Sequence, residues 1–154
     1  MNKIAKREGG FTIIEVVLVL AIAGLIFLIV FLAVPALQRS QRDTQRRNDA
    51  SRFMSQLSNY QANNKGAIPA NAAVDTFVAA YLDNGAGSPD NWKDPSSGAV
   101  YVDVAPASTP ANPGEYRYQI NTTCNGENPT AGGGNRKATI QMKLEGSGFM
   151  CLSN

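Results

Sequence analysis

The sequence predicts an α+β protein, with one long N-terminal helix packed on a small C-terminal antiparallel sheet. Three observations predict it. Residues 16–34 are 19 consecutive positions without a charged or polar side chain. Ala50, Phe53, Met54 and Leu57, with Tyr60 beyond, recur at the i, i+3, i+4, i+7 spacing of a helix face laid on a core. After residue 98, four short β-rich segments alternate with stretches rich in Pro or Gly.

The apolar run sets the first element. Residues 11–34 number 24 and are interrupted only by Thr12 and Glu15. At about 1.5 Å each they make about 36 Å of helix, enough to cross a hydrocarbon core of about 30 Å. A secretory signal has a shorter apolar region of about 7 to 15 residues, closed by a small-residue cleavage site. Here Pro35, Ala36, Leu37, Gln38 and Arg39 follow, so the run reads as a membrane-spanning helix. Glu15 stands out within it, because a carboxylate at bilayer depth costs about 2.5–3.5 kcal/mol and calls for a partner. Thr12 and Glu15 also have the spacing of a capping box.

Past Pro35, residues 38–49 contain no apolar side chain. Arg39 with Asp43 and Asp43 with Arg47 sit at i,i+4, and Arg46 with Asp49 at i,i+3, so the helix continues with a few tenths of a kcal/mol from each pair. A helix polar all round reads as a solvated face or a seam for other subunits. A bend is expected near Pro35, whose ring removes a backbone donor. Asn63-Asn64-Lys65-Gly66 supplies stop chemistry and Pro69 prevents a restart. A short helical stretch is predicted over 73–82 and a loop over 83–91, then strands over 99–104, 116–122, 138–144 and 148–152, with loops over 106–114 and 125–135.

Composition narrows the chemistry. Lys+Arg 14 against Asp+Glu 12 gives +2, too small for global attraction to a polyanion. With no His and two Cys, the chain lacks the commonest general base and cannot build a four-ligand zinc site. Five Arg against Asp43 and Asp49 over 39–52 make a local basic segment, but without interleaved aromatics, so nucleic-acid binding is only a speculative reading. Asp83, Asp90 and Asp94 offer carboxylates to calcium without the spacing of an EF-hand loop.

The segment Lys6-Arg7-Glu8-Gly9-Gly10-Phe11-Thr12-Ile13-Ile14-Glu15 resembles the processing and assembly signature of type IV prepilins and secretion pseudopilins. The resemblance implies the type IV pilin fold, a cut between Gly10 and Phe11 by a prepilin peptidase/methyltransferase, and N-methylation of Phe11. It also implies that Glu15 pairs with the Phe11 amine of a neighbouring subunit. Gly24 matches the family's helical glycine, whereas Pro35 lies later than the family's usual proline; both mark the expected helix kink. The passage from Asp94 through Pro95, Ser96, Ser97, Gly98, Ala99 and Val100 to Tyr101 resembles the entry to the first strand of pilin heads. Cys124 and Cys151 resemble the family's C-terminal disulfide-bounded loop; the residues themselves leave two reduced, buried thiols as the alternative. The Lys/Arg balance on either side of the apolar run is a draw, and a disulfide would place the head in an oxidising compartment.

The expected organisation is therefore a cleaved leader over 1–10, a transmembrane and filament-core half-helix over 11–35, an amphipathic half over 36–62 packed on the head, and an α+β head over 63–154. The reading is a type IV pilus subunit that serves adhesion, motility or DNA uptake, without a cofactor or enzymatic activity. It waits in the inner or cytoplasmic membrane and is polymerised by an assembly platform and its ATPase into an extracellular homo-oligomeric filament. The alternatives are a pseudopilin of a type II-like secretion system and a monomeric single-pass surface binding protein.

Overall fold

The computed structural model describes residues 10–83, 91–146 and 148–154. The chain divides into two compact units, one ending at Gln38 and the other Arg39–Asn154. Helix α1 is Ile13–Asn63 and is helical through Pro35. A single 3₁₀ turn, Asn71–Ala73, leads into α2, Val74–Tyr81. The strands are β1 Val102–Asp103, β2 Glu115–Ile120, β3 Thr122–Asn125, β4 Asn128–Ala131, β5 Ala138–Lys143 and β6 Phe149–Ser153. A long apolar helix followed by a sheet is the α+β arrangement the pattern predicts.

In the second unit, α1 ends where the sequence places its stop. Lys65 and Gly66 take φ of 55° and 82°, and the Gly66 N–H donates to the Gln61 carbonyl at 2.8 Å, closing the last turn. Ala50, Phe53 and Leu57 are fully buried against Val74 and Phe77 of α2 and against Tyr116, Tyr118, Ile140 and Met142 of the sheet. Phe53 is the hub, with ring centroids 5.2 Å from Phe77, 5.6 Å from Trp92, 6.1 Å from Tyr116 and 5.8 Å from Tyr118. Burying an aromatic side chain this fully stabilises the fold by about 1.5–3 kcal/mol.

The main sheet has the order β1-β2-β5-β6. Two strand expectations need correction. β1 runs parallel to β2, through Val102↔Glu115 and Asp103↔Tyr116, so the sheet is mixed and not an antiparallel meander. The loop over 105–114 carries the chain back before β2 begins, as parallel neighbours require. The expected 99–104 strand also shrinks to Val102–Asp103, because residues 92–94 pair with 99–101 through the Lys93↔Val100 bridge.

Residues 125–135, expected as loop, contain β4. It pairs with β3 as a hairpin whose end pair is Asn125↔Asn128. The two-residue turn is Gly126-Glu127, and Gly126 at φ 61° occupies the first central position, where a type II′ turn needs a left-handed backbone. Pro129 costs nothing here because β4 is an edge strand.

This hairpin explains why β5 is buried on both faces. Ala138, Ile140 and Met142 face the apolar core; Thr139 and Gln141, also fully buried, lie on the other face. Thr139 Oγ1 and Thr122 Oγ1 are 2.8 Å apart, and Gln141 Nε2 donates to the Glu127 carbonyl at 2.6 Å. The hairpin is thus attached through polar contacts, and the Cys124–Cys151 disulfide, with Cα atoms 5.8 Å apart, adds a covalent tie to β6.

Candidate functional site

The first unit carries the signature residues. Gly10 and Phe11 precede the helix and are exposed, Phe11 at 89%. α1 begins at Ile13, two residues later than the apolar run does. The orphan donors at its start are met by a capping box: Thr12 N–H and Thr12 Oγ1 donate to Glu15 Oε2 at 2.9 and 2.7 Å, while the Glu15 N–H donates to Thr12 Oγ1 at 3.4 Å. Glu15 therefore has an intrachain partner, and these bonds use only one of its two oxygens. The capping reading and an assembly role for Glu15 are compatible.

Among the described residues of this unit, nothing covers the apolar side chains. Phe31 is 77% exposed, and the other large hydrophobics over 13–34 range from 40% to 84%. An α-helix that is apolar all round is stable in water only when something buries it, either lipid or other helices. Shallow grooves on its surface are lined by Phe11, Glu15, Val16, Val19 and Leu20, and by Phe27, Val30, Phe31, Val34 and Pro35. Gly24 is exposed, and a Cβ there would meet nothing within 4 Å.

In the second unit the polar stretch of α1 does something the sequence reading missed. The i,i+4 pairs expected of Asp43 with Arg39 and Arg47 give way to inward contacts. Arg46, fully buried, donates from Nε to Asp94 Oδ1 at 2.7 Å, from Nη1 to Asp43 Oδ1 at 2.9 Å and from Nη2 to Glu145 Oε1 at 2.9 Å. Arg42 holds Glu145 with two bonds, of 2.7 and 2.6 Å. Asp43 also accepts the backbone N–H groups of Glu145 and Gly146 at 2.8 and 2.9 Å. Asp49, expected opposite Arg46, accepts instead from the Tyr101 hydroxyl at 2.9 Å.

The reason is neutralisation: a buried guanidinium needs carboxylates around it, and the head supplies two that lie far away in sequence. The hydrogen bonds from Arg42, reinforced by Arg46, hold the Glu145 carboxyl down to about 2. Burial pushes Asp94 up, but the Ser96 hydroxyl and Arg46 outweigh it and leave the carboxyl low. Asp94 Oδ2 also accepts the N–H groups of Ser96 and Ser97, both at 3.1 Å. Of the calcium candidates, Asp94 is thus committed to this network and Asp90 lies outside the described residues. Among the described residues no cluster of three or more metal-binding side chains exists.

A family model, the prokaryotic N-terminal methylation motif, matches residues 5–31. No curated protein and no solved structure matches the chain. The matched residues span the Gly10–Phe11 junction, the Thr12–Glu15 capping box and most of the exposed apolar part of α1.

Proposed function

We propose that this chain, whose N-terminus is that of type IV prepilin-like proteins, is a structural subunit of a type IV pilus. It is made as a membrane-anchored precursor, cut between Gly10 and Phe11 by prepilin peptidase and methylated on the Phe11 amine. It then joins a homo-oligomeric surface filament through α1. The observation that carries this reading is the methylation motif running into a helix apolar on every side, which needs a bilayer first and other copies afterwards.

The transfer from lipid to filament gains little from the hydrophobic effect, because lipid is already apolar. Packing of side chains into the grooves along α1 supplies contact. Glu15 supplies register: Thr12 occupies Oε2, and Oε1 is left for the ammonium of Phe11 on the next subunit. Gly24 and Pro35 are the places where the helix yields as it packs. Extraction from the membrane requires an assembly platform and its ATPase.

Mass spectrometry of the envelope-derived chain should find methylated Phe11 at the N-terminus, and Glu15→Gln should abolish filaments while leaving membrane insertion intact. A chain that keeps Met1 would refute processing, and unchanged piliation would reduce Glu15 to a cap. Fibres lacking this polypeptide, together with failed protein secretion on its deletion, would make it a pseudopilin.

A further inference from the structure

The tip of the β3–β4 hairpin brings together the parts of a self-modifying sequence. Asn125 ends β3 and Gly126 follows it, both exposed. A Cβ on Gly126 would meet nothing within 4 Å, and a glycine puts no side chain of its own beside the attacking nitrogen. Among the described residues no hydrogen bond engages the Asn125 carboxamide. The neighbouring Cys124 is tied to Cys151, and across the turn Glu127 accepts from Gln141 Nε2 at its carbonyl and from the Phe149 N–H at its carboxylate, so the restraints on this tip fall on either side of the Asn125–Gly126 bond and not on the bond itself.

We propose that Asn125 is a site of spontaneous deamidation, converting to aspartate and isoaspartate in the folded chain. The Gly126 backbone nitrogen loses its proton to solvent and attacks Asn125 Cγ; a C–N bond forms and the side-chain nitrogen leaves as ammonia, giving a five-membered imide. Water then adds to one imide carbonyl. Opening at Cγ leaves aspartate, and opening at the main-chain carbonyl leaves isoaspartate, whose backbone runs through Cβ. The net change is carboxamide plus water to carboxylate plus ammonium.

Ring closure requires Asn125 to rotate out of the extended backbone dihedrals of its paired strand, so the reaction proceeds through opening of the hairpin tip, and its rate reports that opening. The product places a new negative charge beside Glu127, whose carboxylate accepts the Phe149 N–H at 3.0 Å. The isoaspartate branch also lengthens the main chain next to the disulfide. In a long-lived extracellular subunit this would be an ageing mark on an exposed turn.

The test holds the full oxidised chain in detergent at mildly alkaline pH in ¹⁸O water and follows the Asn125 peptide by mass spectrometry. The expected result is incorporation of one ¹⁸O at residue 125, a mixture of the two products, and no incorporation in Asn125→Gln. Reduction and alkylation of the disulfide should accelerate conversion about tenfold by freeing the tip, and Cys124→Ser with Cys151→Ser should do the same. An unlabelled peptide in the folded chain over the time in which the urea-unfolded chain converts would overturn the proposal, as would equal rates in the two.

Discussion

Replacing Arg46 by Met removes the charge that three carboxylates surround while keeping most of the side chain's volume. Arg46 is fully buried and Asp94 is 1% exposed, so the substitution strands at least one carboxylate in a dry site. Removing one partner of a buried pair costs about 3–5 kcal/mol, a large share of the 5–15 kcal/mol that typically holds a domain together. For a head of this size that is a fall of about 10–20 °C in melting temperature. Trp92, the single tryptophan and 1% exposed, reports the unfolding by fluorescence in guanidinium titrations of the full chain in detergent.

The pH response of this variant should invert. In the native chain Asp94, Asp43 and Glu145 all have lowered folded-state values, so their stabilisation is present above the ordinary carboxylate range and is lost as pH falls below it and through the lowered folded values, down to about 2 for Glu145. Without Arg46 the burial that already pushes Asp94 up goes unopposed by its cation, and acidification should restore stability. Adding Asp94→Asn should recover part of the loss, since an uncharged pair is far cheaper to bury. A loss below about 1 kcal/mol, or strictly additive effects of the two substitutions, would refute the idea that Arg46 is held by charge.

Asp103 should give the opposite pH arm. Burial, opposed by the Tyr118 N–H and assisted by the Asp75 charge, raises it to about 6 from an ordinary 3.8. Its ionised form therefore opposes folding above about 6, and stability should rise by about 1–3 kcal/mol as pH falls from about 7 to 4; denaturation midpoints should show this rise, and Asp103→Asn should abolish it. Phe53→Ala should cost about 3–5 kcal/mol in the same titrations, because four rings lose their common neighbour. Reducing the disulfide should release the hairpin and leave the core folded: hydrogen exchange should quicken over Thr122–Asn125 and Asn128–Ala131 but not in β5. The chain-entropy contribution of a loop of about 28 residues is about 3.5 kcal/mol, an upper bound on the loss.

Much of the second unit was legible because it rests on local chemistry. The Phe53–Leu57 face, the stop at Lys65-Gly66, α2 and the antiparallel pairing of β2, β5 and β6 follow from periodicity and turn residues close together in the chain. β4 was missed because Asn128, Pro129, Thr130 and Ala131 have little strand preference and pair only because the Gly126-Glu127 turn folds them onto β3. The turn signal was in the sequence, masked by the surrounding glycines. Arg46 was read as a surface residue because its partners Asp94 and Glu145 lie 48 and 99 positions away.

An uncompensated apolar length is a property of the chain itself. Residues 11–34 are apolar almost throughout, so the demand of this segment for an apolar environment is written in order and composition alone. The disposition of charge is different. Whether an arginine on a polar helix faces water or is sealed inside depends on which distant carboxylates the head carries past it, and the Coulomb energy between such groups becomes large only once the backbone has brought them close together and out of water.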